Sequence, residues 1–462
     1  MKKVFILLLI TLHPIFSQNI VSDTIIHEVE RKENLFSISQ KYNININDIL
    51  KLNPKLRESR LKRKSKILIP VLESIKESIL VKKDSLIKDD NLSRLDSIFV
   101  KKRKKDSQLN LSVLLPFRSN TVNYDSIKEV ESLFEDRNLY TITLDFYSGI
   151  LYAIEDLKEL NISVNLNVFD TENSLNKLND ISSDDLIRNS DVIIGPLIPR
   201  NFETFSNIEL LESIPKVFPL STIPIKIIKG VIQSVTPKKI LRDRMINYLD
   251  ENLDREDNIV IIADSLNNEI DSKLSEIFPN SIKIKPEFEG YILPELLDSL
   301  LVDSLPNKVI VESEIFTLIS SVISQLNSQI TSEREVKLFT TYRGNQYDDP
   351  SINIKYLGNL AFTYTSISKK MNNDSITKFE NGYLNLFGSL PNKDVIRGYD
   401  VTKDILLRVL IDKNLNRTTK YDEQSYIESK FLYKKDTLGG LYNSSMFILM
   451  HREYDIEEII EQ

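Results

Sequence analysis

Residues 109–117 read LNLSVLLPF, and the apolar core of that stretch, Leu111 to Leu115, stops at Pro116-Phe117. A short, largely apolar run ended by a turn residue is the pattern of a strand covered on both faces. Downstream, Asp145 to Leu160 carries Phe146, Ile150, Ala153, Ile154 and Leu157 at helical spacing. The alternation then repeats. Ser163 to Phe169 ends at Asp170-Thr171, Val192 to Ile194 at Gly195-Pro196, and Lys216 to Phe218 at Pro219-Leu220-Ser221-Thr222. Further on, Ile259 to Ile262 ends at Ala263-Asp264, and Lys308 to Val311 at Glu312-Ser313. Strands alternating with amphipathic helices predict an α/β fold of doubly wound parallel sheets, whose ligands sit beyond the carboxyl ends of the strands.

Composition narrows the chemistry. The chain has 462 residues, 27% charged and 41% hydrophobic, which is globular. Its length predicts about two to four domain-sized units. A net charge of −7 gives no global electrostatic case for nucleic-acid binding. There is no cysteine, which removes disulfides, thiolate metal sites and cysteine nucleophiles. The histidines are His13, His27 and His451, too few for a multi-histidine metal centre and poorly suited to a Ser-His-Asp triad. No catalytic group, metal or cofactor is expected.

The first segment reads as an address. Lys2 and Lys3 precede the apolar run Val4 to Leu12, and Ser17 offers a small residue at a cleavage position. Residues 1–18 are therefore expected to be a signal peptide, giving a mature start near Gln18 or Asn19 in the periplasm or outside the cell. With no cysteine after the apolar run there is no acylation site. No later run reaches the length of a membrane span, so no stable membrane insertion is expected. Residues 71–108 are densely charged, without Gly or Pro, and contain Asp84-Ser85-Leu86, Asp96-Ser97-Ile98 and five cations from Lys101 to Lys105. They read as a partly helical or extended tether.

Between them lies a small module, residues 26–70. His27, Val29 and Arg31 alternate with Ile26, Glu28 and Glu30, predicting a strand. Asn34 can cap a helix bearing Leu35, Ile38 and Ser39, and Asn47 or Asp48 a second bearing Ile49, Leu50 and Leu52. Asn53-Pro54 stops that helix, and Ile67-Leu68-Ile69 closes as a strand. The residues Val29, Glu33-Asn34-Leu35, Ser37-Ile38-Ser39, Tyr42, Asp48-Ile49-Leu50, Leu52-Asn53-Pro54, Leu61, Ile67 and Ile69-Pro70 resemble the LysM family. The resemblance implies a βααβ module that binds N-acetylglucosamine-containing glycan, such as peptidoglycan. Its groove would use Glu33, Asn34, Leu35 and Phe36 with Asn53, Pro54, Lys55 and Leu56. Lys32 and Lys64 stand where the family has Gly, and Lys32 would be strained if the first turn needs φ > 0.

The larger region has its own resemblance. Val113-Leu114-Leu115-Pro116-Phe117, Phe146-Tyr147-Ser148-Gly149, Val168-Phe169-Asp170-Thr171, Ile193-Ile194-Gly195-Pro196 and Ile214 to Thr222 resemble the type 1 periplasmic-binding fold of branched-chain amino-acid receptors. Ser234-Val235-Thr236-Pro237 and Gly398-Tyr399-Asp400-Val401-Thr402 continue the match, over residues 109–455. The resemblance implies two lobes, 109–232 with 366–428 and 236–362 with 432–455. They would be joined by crossovers near 232–236, 362–366 and 428–432. A ligand in the cleft would meet Pro116, Phe117, Gly195, Pro196, Ser221 and Thr222 from the first lobe, and Asp264, Glu312 and Ser313 from the second. The family's Tyr-Gly after the first strand of lobe 2 is missing from Asp264-Ser265-Leu266-Asn267-Asn268. The same fold serves outer-membrane activators of cell-wall synthases.

The combined reading is a non-catalytic binding protein of the cell wall. LysM would hold peptidoglycan, while the two-lobed domain senses a small zwitterionic ligand or contacts a wall synthase or hydrolase. The alternative is a solute receptor of an amino-acid-type transporter, retained at the wall by LysM. An enzyme would need a carboxylate pair in the cleft, such as Asp264 with Glu312, yet both also read as strand-end or capping residues.

Overall fold

The structure, a computed structural model, describes residues 23–29, 35, 38–39, 46–53, 64–71, 94–102, 107–286, 290–370 and 374–460. Residues 1–18, with the signal-peptide reading, lie outside that set. Among the described residues no helix is long and apolar enough to cross a membrane. The chain divides into two units, Met1–Lys88 and Asp89–Gln462.

In the first unit β1 (Asp23–Glu28) pairs antiparallel with β2 (Lys66–Val71), matching Ile25 with Ile69 and His27 with Ile67. Leu35, Ile38 and Ser39 are helical, and α1 spans Ile46–Leu52. Period-two alternation sorts the strands: Ile67 and Ile69 are buried with Val29, Ile38 and Ile49, while Ile26 and Leu68 face out. Among the described residues these aliphatic side chains form the core, with Leu35 against them. Lys64 leads into β2 with φ +64°, in the left-handed region, where its N–H donates to Val29 O at 2.7 Å.

The second unit begins earlier than the tether reading allows. Residues 94–102 form α2 (Arg94–Lys102), whose Leu95 and Phe99, one turn apart, are buried in the first lobe's core. Leu95 N donates to Gln424 Oε1 at 3.0 Å. That stretch of 71–108 is therefore part of the packed unit, and the following strand already begins at Ser107.

In chain order the strands are β3 (Ser107–Leu115), β4 (Ile162–Asp170), β5 (Val192–Ile194), β6 (Lys216–Phe218) and β7 (Val231–Gln233). Then come β8 (Asn258–Ala263), β9 (Ile282–Ile284), β10 (Asn307–Glu312), β11 (Val336–Phe339) and β12 (Thr363–Ser366). Last are β13 (Gln424–Ser425), β14 (Lys430–Phe431), β15 (Tyr433–Lys435), β16 (Leu441–Asn443), β17 (Phe447–Arg452) and β18 (Asp455–Glu458). Fourteen of them build two seven-stranded sheets, ordered β15-β16-β7-β6-β5-β3-β4 and β18-β17-β12-β11-β10-β8-β9, and β13 pairs antiparallel with β14 apart from both. Pairing is parallel through the centre of each and antiparallel at β15–β16, β12–β17 and β17–β18. This is the two-lobed, parallel-dominated α/β architecture expected from the sequence.

The chain passes between the sheets at 234–237, 367–370 and 444–446. The third passage corrects the expectation of 428–432. Tyr433–Lys435 and Leu441–Asn443 pair with each other, and β16 extends β7, so both stay in the first lobe and the second resumes at Phe447. Asn443 Nδ2 donates to Ser234 O at 3.0 Å, and Thr236 donates to Ser445 O, tying two passages together.

Four further helices frame the region between the lobes: α3 (Leu139–Glu159), α4 (Lys238–Asn252), α5 (Asp374–Phe387) and α6 (Lys393–Ile411). α3 and α6 meet at Gly149 and Gly398. A Cβ on Gly149 would stand 2.0 Å from Val395 O, and one on Gly398 2.2 Å from Phe146 O. The two glycines therefore set the depth at which α6 lies against the first lobe. They belong to the Phe146–Gly149 and Gly398–Thr402 motifs singled out in the sequence.

Candidate functional site

On the first lobe, Pro116 is buried, and Phe117 packs edge-on against Tyr147 with ring centroids 5.4 Å apart. Gly195 has φ +92°, and a Cβ there would lie 2.2 Å from Leu114 O, so this turn admits little but glycine. These residues, with Pro196, line no part of the interlobe cavity. The second lobe's candidates are also committed inward. Asp264 accepts from Leu266 N at 3.0 Å and Asn267 Nδ2 at 2.9 Å, a helix-capping role. Ser313 Oγ accepts from Ile315 N at 3.0 Å. Glu312, 1% exposed, accepts from Thr341 N at 2.5 Å and Thr341 Oγ1 at 2.8 Å, with Arg242 Nη2 3.7 Å away. Burial pushes its carboxyl above the usual carboxylate range, against the pull of Arg242 and the Thr341 donors. Asp264, Glu312 and Ser313 do not line the cavity either.

The cavity, about 440 Å³, lies nearer the crossovers. Ser221 and Thr222 are its two sequence-predicted members. Ser221 Oγ accepts from Ile223 N at 3.1 Å, while the Thr222 hydroxyl bonds the Tyr342 hydroxyl of the opposite lobe at 2.9 Å. Tyr342 in turn lies beneath Lys238 of α4, whose Nζ is 4.4 Å from the ring centroid. A second contact between lobes runs from Lys393 Nζ to Asp348 Oδ2 at 3.8 Å.

The start of α6 supplies much of the wall. Asn392 caps it, accepting from Asp394 N at 3.0 Å and Val395 N at 3.1 Å. Asp394 receives Arg137 bidentately, at 2.9 Å from both Nε and Nη2. Arg397 lines the cavity at 8% exposure, and its Nη2 donates to Ile367 O at 3.1 Å. Burial pulls its guanidinium below the usual arginine range, against the nearby Asp400 and Glu428 charges. One turn on, Asp400 is fully buried and accepts from Ile427 N at 3.0 Å and Glu428 N at 3.1 Å, fixing the loop that carries Glu428 into the wall. Burial pushes the Asp400 carboxyl up to about 6. Burial, then the Asp400 charge, pushes Glu428 up to about 7.

Sequence reasoning missed Arg137, Tyr342, Arg343, Arg397 and Glu428. One signal was available. Arg397, Asp400, Asp404 and Arg408 recur at helical spacing in a segment otherwise rich in apolar residues, and all four are buried. Charges on the buried face of a helix require partners or a function.

In the LysM module Leu35 and Asn53 are the described members of the predicted groove. Glu33, Asn34, Phe36, Pro54, Lys55 and Leu56 lie outside the described residues. Leu35 is half-buried against the core. Asn53 Nδ2 donates to Ile49 O at 2.7 Å and Leu68 O at 2.6 Å, and its Oδ1 accepts from Leu68 N at 2.8 Å. Both amide hydrogens are thereby occupied within the fold, so Asn53 ties α1 to β2 instead of offering its amide to a sugar.

Comparison with known proteins agrees with this division. Residues 27–70 match the LysM domain. A branched-chain amino acid ABC transporter protein from Rhodospirillum rubrum is similar in fold over 77% of this chain and 100% of its own, at 12% identity and a TM-score of 0.54. An ABC transporter substrate-binding protein from Desulfitobacterium hafniense in complex with Leu aligns over 76% of this chain and 100% of its own, at 15% identity and a TM-score of 0.46. Full-length LpoA from Haemophilus influenzae aligns over 77% of this chain and 59% of its own, at 12% identity and a TM-score of 0.48. No curated protein matches the sequence.

Proposed function

We propose that the chain is a non-catalytic binding protein acting outside the cytoplasm. Its LysM module holds N-acetylglucosamine-containing glycan such as peptidoglycan, and its two-lobed unit takes a small ligand between the lobes. The observation that carries this reading is the LysM match over residues 27–70, whose strands and α1 enclose their own small core. The cavity supports the second half. It is lined mainly by charged and hydroxyl groups from both lobes, and the Thr222–Tyr342 and Lys393–Asp348 contacts join its walls. A ligand seated there touches both lobes and favours their closed arrangement.

The test is sedimentation. The full chain should pellet with insoluble peptidoglycan, and a chain lacking residues 23–71 should remain in the supernatant. Failure of the full chain to pellet would defeat the glycan-binding half of the reading.

A further inference from the structure

The charges around the interlobe cavity are unevenly paired. Arg137, Arg343, Lys393 and Arg397 line it as cations, and Asp348, Asp394 and Glu428 as carboxylates. Arg137 is bidentate on Asp394. Arg343 and Lys393 share Asp348, at 2.5 and 3.8 Å. Arg397 forms no ion pair among the described residues, and its hydrogen bond is the one to Ile367 O at 3.1 Å. A guanidinium carries five N–H donors, and buried donors are normally satisfied. At 8% exposure, Arg397 is a buried cation with spare donors at the wall of a cavity able to supply an acceptor.

We propose that this cavity binds a small molecule bearing one carboxylate, and that Arg397 contacts that carboxylate. The proposal rests on reading the two-lobed unit as a ligand-binding unit, and adds where the ligand sits and what chemistry it carries. A planar guanidinium presents paired donors that match a carboxylate's two oxygens. A second negative charge on the ligand fits poorly, because Asp348 and Asp394 already place negative charge around the space. Ser221 and Ser366 offer hydroxyls and Ile396 an apolar surface to the remainder of the ligand. The site lies on the crossover side of the cleft, away from Pro116 and Gly195 at the strand ends of the first lobe.

Glu428 gives the site a pH signature. Asp400 and Arg397 of α6, Glu380 of α5, and Lys370 beyond β12 surround it. As pH rises through about 7 it ionises, becomes a counter-charge for Arg397 and competes with the ligand. Affinity for a carboxylate therefore falls between about pH 6 and pH 8.

Isothermal titration of the full chain at about pH 6 tests this with N-acetylalanine, its neutral amide N-acetylalaninamide, the cation alaninamide, and inorganic phosphate. N-acetylalanine should bind at one site, with the amide and phosphate at least about ten-fold weaker. Arg397→Gln should lose about ten-fold or more in N-acetylalanine affinity, and Arg397→Lys, which keeps the charge but not the fork, should fall between. Equal binding of acid and amide by the parent protein overturns the proposal whatever the variants do, so a variant that fails to fold does not shelter it. Undiminished binding by folded Arg397→Gln, or an affinity that rises from pH 6 to pH 8, overturns it equally. Binding of alaninamide alone would sink the carboxylate site while leaving a ligand-binding unit intact.

Discussion

Two carboxylate-bearing regions of the second unit look alike in sequence and differ in the fold. At the strand end of the second lobe, Glu312 finds Thr341 N, Thr341 Oγ1 and Arg242 within its own lobe. Beside the crossovers, Glu428 and Arg397 face open space, and Arg397 reaches a single backbone acceptor. Both regions bury polar groups. Both Glu312 oxygens are occupied, whereas Arg397 has one of its donors answered. Unoccupied capacity, more than burial or charge, separates a ligand wall from a structural polar cluster.

The sharpest way to break the comparison is to remove Glu312. Glu312→Ala leaves the Thr341 N–H and Arg242 without their acceptor and should cost about 3 kcal/mol in urea unfolding. Affinity for N-acetylalanine should stay within about two-fold of the parent's at a temperature where the variant is folded. A large loss of affinity at full stability would return Glu312 to the ligand site.

A smaller effect is expected from Glu428 and has a defined sign. An acid pushed from 4.5 to about 7 by folding holds its proton more tightly in the native state. Its stabilising contribution is complete below about pH 4.5 and is lost as pH rises through about 7. Glu428→Gln removes that dependence. The stability of the variant relative to the parent should therefore rise by on the order of 1–2 kcal/mol from pH 5 to pH 8. A flat difference across that range would mean that Glu428 is not held in the protonated state.

The smallest effect concerns the LysM module, where a side chain meets backbone strain. Lys64 occupies φ +64°, and Lys64→Gly should stabilise the first unit by about 1 kcal/mol, read from its thermal transition. Peptidoglycan sedimentation should be unchanged. No gain, or a loss, would mean that the Lys64 stem contributes packing that offsets the strain.

Local pattern carried much of the architecture. Short, largely apolar runs such as Leu111–Leu115 and Ile259–Ile262 are strands because both of their faces are covered, and that coverage is legible in local composition. The described part of the LysM core follows from period-two and helical spacing in a short stretch. The third crossover was not legible. Tyr433–Lys435 and Leu441–Asn443 carry no mark of which sheet they join, and pairing with β7, more than 200 residues earlier in the chain, decides it.

By itself, the sequence determined the elements, the two kinds of unit and the absence of thiol chemistry, because each depends on neighbours along the chain or on composition. Tertiary structure decided which polar groups are free. The LysM resemblance implies Asn53 as a ligand contact and strand-end position suggests Glu312, but whether an amide or carboxylate is available depends on groups that arrive from elsewhere, Leu68 for the first and Thr341 for the second. Arg397 is the converse case. Its helix is drawn against α3 by Gly149 and Gly398, which buries the guanidinium among groups that leave most of its donors unanswered. Hydrogen-bond satisfaction is a sum over three-dimensional neighbours, and no spacing rule along the chain contains that sum.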